Sequence, residues 1–304
     1  MPTLQANLRL SLKTILFTTD FSPASQAALP YVQALVRWYG SKVIVAHSVP
    51  PEPALSVPMD AAPLNMNLSW QEAQNKMTAF LRTDPLPGIV HETVLEQGDL
   101  WDVLSDLIRR HDIDLVVLGT HGRQGLKKLV LGSAAEQIFR LARCPVLTVG
   151  PKAVCPAVQF ENWKRILFAT DFSAGSLKAL PYALSMAEEN NAQLMLMHAI
   201  PLVPVQQQDD VQEGARRRLE KLVPLEAADW CKPEYVVRFE FAAEGILKVA
   251  KERHADLIVM GVRRKAYDIV RSLSPAVDVD RSLAPDIEAV AREVGKGSFA
   301  ALLR

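Results

Sequence analysis

The chain has 304 residues, room for two domains of ordinary size, and is 49% apolar, as a soluble globular protein requires. Its 34 basic residues balance 34 acidic ones, which excludes a global field that would recruit nucleic acid or anionic membrane. Three cysteines (Cys144, Cys155, Cys231) form no CxxC and no metal-ligand spacing, so they read as reduced thiols and exclude a disulfide framework. No apolar stretch nears the ~20 residues of a membrane span. Arg9 and Lys13 interrupt the N-terminal apolar pattern where a signal peptide needs a clean core. The expected location is therefore cytoplasmic.

In chain order, the first half predicts apolar strands near 14–19, 42–48, 89–95, 114–119 and 145–149. Amphipathic helices are predicted near 22–39, 69–83, 99–111 and 133–143. Strands alternating with helices across short loops imply an α/β fold, an open parallel sheet covered on both faces. In such sheets ligands sit beyond the carboxyl ends of the strands, at a topological switch point. Asp20 ends the first strand and Gly119 the fourth, so both belong on that rim.

The chain repeats itself. Lys13 to Tyr31 recurs as Lys164 to Tyr182 at an offset of 151, which also relates Asp20 to Asp171 and His47 to His198. Later the offset is 142, pairing Asp114–Gly119 with Asp256–Gly261. The second copy has thus lost nine residues, where the first carries its Pro-rich stretch 50–63. Gly150-Pro151 to Pro156 reads as the linker.

After the fourth strand the first copy reads Gly119-Thr-His-Gly122, nine residues, then Gly132-Ser133. Ser133 and Glu136 form a capping-box start for the next helix. Strand, glycine loop and helix N-terminus make a cradle for phosphate, because glycines admit an anion to backbone N–H groups and a helix start offers unpaired donors. The spacing is that of neither the Walker P-loop nor the dinucleotide GxGxxG loop.

At these residues the chain resembles the universal stress protein family in tandem arrangement, over roughly 12–150 and 162–265, with 266–304 as a diverged tail. The resemblance implies two Rossmann-like domains of the adenine nucleotide alpha hydrolase type. The ATP-binding branch of that family carries Gly-x2-Gly-x9-Gly-Ser/Thr, met here by Gly119, Gly122, Gly132 and Ser133. It implies that Asp20 contacts the adenosine and that Thr18 and Ser48, where relatives often carry Pro and Val, line the base. Leu118 and Ala134 complete the implied site, and Mg2+ would accompany the ATP.

The same residues admit plainer readings. Ser22-Pro23 already forms a helix start, so Asp20 also reads as part of that turn. His47 and His198 read as structural, and His121, Arg123, Lys127 and Lys128 as solvated charges of which one or two would screen a triphosphate. No Walker lysine and no acidic pair for Mg2+ accompany the loop, so the expectation is binding with turnover absent or slow, not an enzyme.

The second copy keeps Asp171 and Gly261 but has Arg264 in place of Gly122, and Ser274-Pro275 in place of Gly132-Ser133. Bulk at the first and a missing N–H at the second predict a copy that binds no nucleotide and serves as regulator or scaffold. Arg263-Arg264-Lys265 reads as a surface cluster, with a substitute anion site as the alternative. Nothing in 266–304 reproduces the last strand of the first copy, and only a helix at 285–294 is expected there. The two copies are expected to pack as an intrachain pseudo-dimer, with an open strand 145–149 as a route to a homodimer. The competing functional classes are a nucleotide-independent interaction scaffold and, less favoured, a slow ATPase or nucleotidyl transferase.

Overall fold

The computed structural model describes residues 10–51, 62–119, 138, 141–150, 153, 163–201, 204–261 and 300–303. They divide into two compact units, one within Ser11–Ala153 and one built mainly from Val154 onward. In the first unit β1 (Thr14–Thr18) leads to α1 (Pro23–Gln26) and α2 (Leu29–Tyr39), then β2 (Lys42–Val49) and α3 (Ala62–Arg82). β3 (His91–Gln97), α4 (Leu100–Arg110), β4 (Leu115–Gly119) and β5 (Val146–Val149) follow. The strands pair in the order β3-β2-β1-β4-β5, all parallel. Ile15, Leu16 and Phe17 of β1 and Val116 and Val117 of β4 are fully buried, as continuous apolar runs in a doubly covered parallel sheet should be.

The second unit repeats the plan. β6 (Arg165–Ala169), α5 (Ala174–Leu177), α6 (Leu180–Asn190) and β7 (Gln193–Ala199) open it. A 3-10 turn, α7 (Gln208–Glu220), α8 (Leu225–Cys231), β8 (Glu234–Arg238), α9 (Ala242–Glu252) and β9 (Leu257–Met260) follow. The parallel order is β10-β9-β6-β7-β8.

β10 (Ala300–Leu303) corrects the sequence expectation that the tail supplies no last strand. It pairs in parallel with β9, Ala300 opposite Leu257 through Leu303 opposite Met260. Ala-Ala-Leu-Leu contains no β-branched or aromatic residue, so its strand state comes from its partner rather than from propensity. The expected helix at 285–294 lies outside the described residues. In the first unit Val146–Val149 are buried and pair in parallel with β4 as its last strand.

Three smaller differences have local causes. The helix expected over 22–39 breaks at Ala27-Ala28, because Pro30 has no N–H to give to the preceding turn. β3 begins two residues late because Val90, the apolar cue, is exposed. α3 starts earlier than predicted, at Ala62.

The start of each sheet is tied by one carboxylate. Asp114 Oδ2 accepts the N–H groups of Lys13 and Thr14 at 2.7 and 3.0 Å. Asp256 Oδ2 does the same for Lys164 and Arg165 at 2.7 and 2.8 Å. Asp114→Ala should therefore cost about 1–2 kcal/mol, read as a lower urea midpoint at unchanged slope. An unchanged midpoint would show that water replaces these bonds without loss.

Candidate functional site

The rim at the carboxyl ends of β1 and β4 is built by a repeated turn, Thr-Asp-Phe-Ser. In the first unit the N–H of Phe21 donates to Thr19 Oγ1 (2.9 Å). Thr19 Oγ1 in turn donates to Ser25 Oγ (2.9 Å), because Ser25 commits its own proton to the carbonyl of Ser22 (2.9 Å). Ser22 caps α1, accepting the N–H of Ser25, with Pro23 at the first helical position. Asp20 Oδ1 accepts the N–H of Ser22 at 3.0 Å. The helix-start reading of Asp20 is thus realised, and its exposed side chain also stands on the rim.

Phe21 holds φ at +61°, a left-handed conformation unusual for a bulky residue and worth about 1–2 kcal/mol of strain. Its ring lies 4.6 Å from that of His47 and 5.9 Å from that of Phe80. His47 Nδ1 sits 2.7 Å from the carbonyl of Thr19. A carbonyl only accepts, so Nδ1 carries the proton and Nε2 is the other tautomeric nitrogen. His47 has the structural role expected of it. The hydrogen bond and ring contacts, each about 1 kcal/mol, offset the strain at Phe21.

The second unit reproduces these contacts almost to the tenth of an ångström. Phe172 N–H meets Thr170 Oγ1 at 2.9 Å, Thr170 Oγ1 meets Ser176 Oγ at 2.8 Å, and Asp171 Oδ1 accepts from Ser173 N–H at 2.9 Å. His198 Nδ1 donates to the carbonyl of Thr170 at 2.8 Å, and Phe172 has φ of +60°. Burial holds the His198 pKa below its ordinary value, and the charge of Arg218 adds to that; the bond to Thr170 and the charge of Asp171 oppose it.

Gly119 ends β4 under α1. A Cβ there would lie 2.1 Å from the carbonyl oxygen of Ala24 and 2.6 Å from Ser25 Cα. At Gly261 it would meet Gly175 O and Ser176 Cα, both at 2.4 Å. Backbone-on-backbone approach demands glycine in both units, whatever either binds.

The structure gathers five of the site residues taken from sequence. Thr18 is registered between Ala46 of β2 and Leu118 of β4, adjacent strands about 4.8 Å apart. Asp20 and Ser48 follow at the same ends of β1 and β2, and Gly119 ends β4. Gly122, Gly132, Ser133 and Ala134 lie outside the described residues, as do His121, Arg123, Lys127 and Lys128. Among the described residues no group of three or more His, Cys, Asp or Glu is placed to hold a metal. Cys144 and Cys231 are free thiols, and burial pushes that of Cys231 up to about 11.

Sequence reading missed the hydroxyl chain through Thr19 and Ser25. Its signal was available, since Thr19 and Ser25 recur as Thr170 and Ser176. It also missed Arg218, whose guanidinium carbon lies 3.8 Å over the Phe172 ring, and for which the sequence offers no cue.

Fold and rim together define a tandem protein of two open parallel α/β sheets, each with a turn-and-glycine rim at its topological switch point. The sequence profile described as the Universal stress protein family matches residues 11–150 and 162–273. The chain belongs to that family, with two copies of its domain. Universal stress protein A homolog 1 of Coxiella burnetii is 32% identical over 143 residues, which are 46% of this chain and 97% of that protein. Universal stress protein MJ0577 of Methanocaldococcus jannaschii is 26% identical over 155 residues, 46% and 96% of the two chains. A solved universal stress protein from Archaeoglobus fulgidus covers 98% of this chain and 97% of its own, with a TM-score of 0.69 at 20% identity. That likeness concerns the fold.

Gly119→Ala should destabilise the first unit by about 3 kcal/mol, and Gly261→Ala the second comparably, read as thermal unfolding of the full chain. A Gly119→Ala protein that melts like wild type would remove the packing explanation. His198 should titrate below 6.5 by ring-proton NMR, with folding weakened as pH falls through that value and unaffected by this group above it. A titration at or above 6.5 would contradict its desolvation.

Proposed function

We propose that the first unit binds ATP, as Mg-ATP, and that the second does not take the triphosphate. The observation that carries this is the second unit itself. It builds the same turn, strand ends and glycine contact with Arg264 and Ser274-Pro275 in place of Gly122 and Gly132-Ser133. Sheet and turn therefore do not require those glycines, and their presence in the first copy calls for another cause. Close approach of an anion to backbone N–H groups and a helix start is the physical role that spacing suits.

Division of labour within the site follows from charge. Asp20, a carboxylate, repels phosphate and suits hydroxyl or amino groups of a nucleoside; the glycine loop takes the phosphates. Thr18, Ser48 and Leu118 flank the base, and Gly132, Ser133 and Ala134 lie at the phosphate end. Mg2+ travels with the triphosphate, since the described residues offer no protein cluster for it. The protein on this reading acts as a nucleotide-binding member of a stress-response system in the cytoplasm rather than as an enzyme. No helix among the described residues is long and apolar enough to cross a membrane.

Titration calorimetry with Mg-ATP should give one site per chain. Gly122→Arg, which imitates the second copy, should weaken it by at least about a hundredfold, as expected when bulk blocks several charge-assisted bonds. Phosphate release should stay at the buffer rate. Absence of heat from ATP, ADP and AMP with folded protein would defeat the reading and favour a tandem interaction scaffold.

A further inference from the structure

The outer strands of the two units differ in one respect that the repeat isolates. β3 and β8 hold the same place in their parallel orders, with β2 or β7 on one side and, among the described residues, no strand on the other. An outer strand offers unpaired N–H and C=O groups to another chain unless its side chains forbid it. Along β8 the carbonyl of Arg238 is turned inward, accepting the N–H of Ile200 at 2.8 Å. Main-chain groups alternate in direction along a strand. Those of Glu234, Val236 and Arg238 therefore face β7, while the N–H and C=O of Tyr235 and Val237 face outward.

Paired antiparallel with a second copy of itself over its full length, β8 places Val236 opposite Val236 on the two-fold axis. Tyr235 then lies opposite Val237 with their main-chain groups facing each other, which makes two hydrogen bonds, and the symmetry doubles them to four. Tyrosine against valine is an aromatic and β-branched pair of the kind that stabilises strand contacts. Glu234 falls opposite Arg238 at both ends, in the closer, non-hydrogen-bonded type of pair. The run Glu-Tyr-Val-Val-Arg is thus complementary to its own reverse.

Both charges have capacity for this. Glu234 bonds Arg253 at 3.0 Å and Arg238 bonds Glu252 at 2.6 Å, all four side chains partly exposed at the end of α9. Among the described residues the Arg238 guanidinium has no other hydrogen bond, so most of its five donors remain. Pairing extends each bridge into a row of alternating sign: Glu252, Arg238, the partner's Glu234 and the partner's Arg253. The first unit has the opposite character. β3 paired with itself over its full length sets Glu92 opposite Glu96 at both ends, like charges that repel. Arg238, the counterpart of Glu96, is the change that turns a self-repelling edge into a self-complementary one.

We infer that β8 is a docking edge for a second copy of this chain, joined two-fold and antiparallel through Tyr235 and Val237, with a Glu234–Arg238 pair at either end. Four hydrogen bonds and two exposed ion pairs make a weak, concentration-dependent dimer on their own. The register also carries Phe241, three residues past the strand and 57% exposed, toward the end of the partner's α8, which adds apolar area. Nothing in this inference depends on nucleotide binding by the first unit.

Sedimentation velocity of the full chain over a range of concentrations should show a mass rising toward that of two chains. Glu234→Arg alone sets arginine opposite arginine, and Arg238→Glu alone sets glutamate opposite glutamate. Each should raise the dimer dissociation constant at least about tenfold. An equimolar mixture of the two variants restores opposite charges at both ends and should dimerise about as tightly as wild type. Val237→Pro removes an outward N–H that the pairing with β7 does not use, so it should abolish the dimer with the unfolding temperature held within a few degrees. A chain that stays monomeric at every concentration would overturn the inference. So would a dimer that neither charge reversal nor Val237→Pro weakens, because it would use another surface. Charge variants that are monomeric alone and remain so when mixed would equally overturn it, since charge pairing between chains would then not be the cause.

Discussion

Everything at either rim depends on a helix backbone lying directly on the last residue of a strand. α1 rests on Gly119 and α5 on Gly261, so close that the smallest side chain would penetrate a carbonyl oxygen. That contact brings the first helical turn over the switch point and fixes where the loop from β1 must pass. The loop has only a few residues in which to turn from strand to helix, and it does so by putting Phe21 in the left-handed region. A phenylalanine tolerates this because its surroundings over-determine it: its backbone N–H, its ring and the carbonyl of Thr19 at the start of the turn each have a dedicated partner. Asp20 stands on the rim as a consequence of this geometry, and so does Asp171.

The repeat separates structural constraint from ligand constraint within one molecule. Residues retained in both copies with the same contacts, such as Gly119 and Gly261 or His47 and His198, have packing reasons that hold without any ligand. For residues confined to one copy the repeat supplies no such argument, and each has to be weighed by its own contacts. This reverses the weight that the motif gives its first glycine. Gly119 is the member of the series that the fold itself demands, so its presence alone says nothing of a ligand.

Much of the architecture was legible because burial on both faces writes itself as uninterrupted apolar runs. Ile15-Leu16-Phe17 and Leu115 to Leu118 identify central strands unaided. Fidelity fell at the margins. β3 is half exposed, so its hydrophobic pattern is weak, and Val90 misplaces its start. β10 has no strand propensity and exists through its pairing with β9, a contact that no local window contains. At the site, the sequence located Asp20 and Gly119 on one rim from the strand-end rule alone. It could not indicate that Asp20's first partner is its own helix start. Nor could it indicate Arg218, because a cation reaching an aromatic ring across two elements leaves no periodic trace.

Divergence between the copies follows pairs of residues rather than single ones, which explains why position-by-position comparison understates how alike the units are. Glu96 of β3 pairs with Arg110 of α4. At the same offsets, Arg238 of β8 pairs with Glu252 of α9, the charges exchanged and the bridge kept. Steric bulk is exchanged in the same way. Gly98 lies under Val103, and a Cβ on it would come within 3.0 Å of the valine methyl. In the second unit the strand-side residue is Glu240 and the helix residue is Gly245, whose added Cβ would come within 3.1 Å of Met197 and 3.6 Å of Glu240. In each unit a glycine stands on one side of the contact, on the strand side in the first and on the helix side in the second. Glu240 uses the space to reach Lys248, replacing the helix cap that Asp99 supplies in the first unit with an ion pair across the same turn. What these contacts hold constant is thus the pairing across the gap rather than the residue at either end, whereas the turn beneath Asp20 and Asp171 keeps both its residues and its bonds.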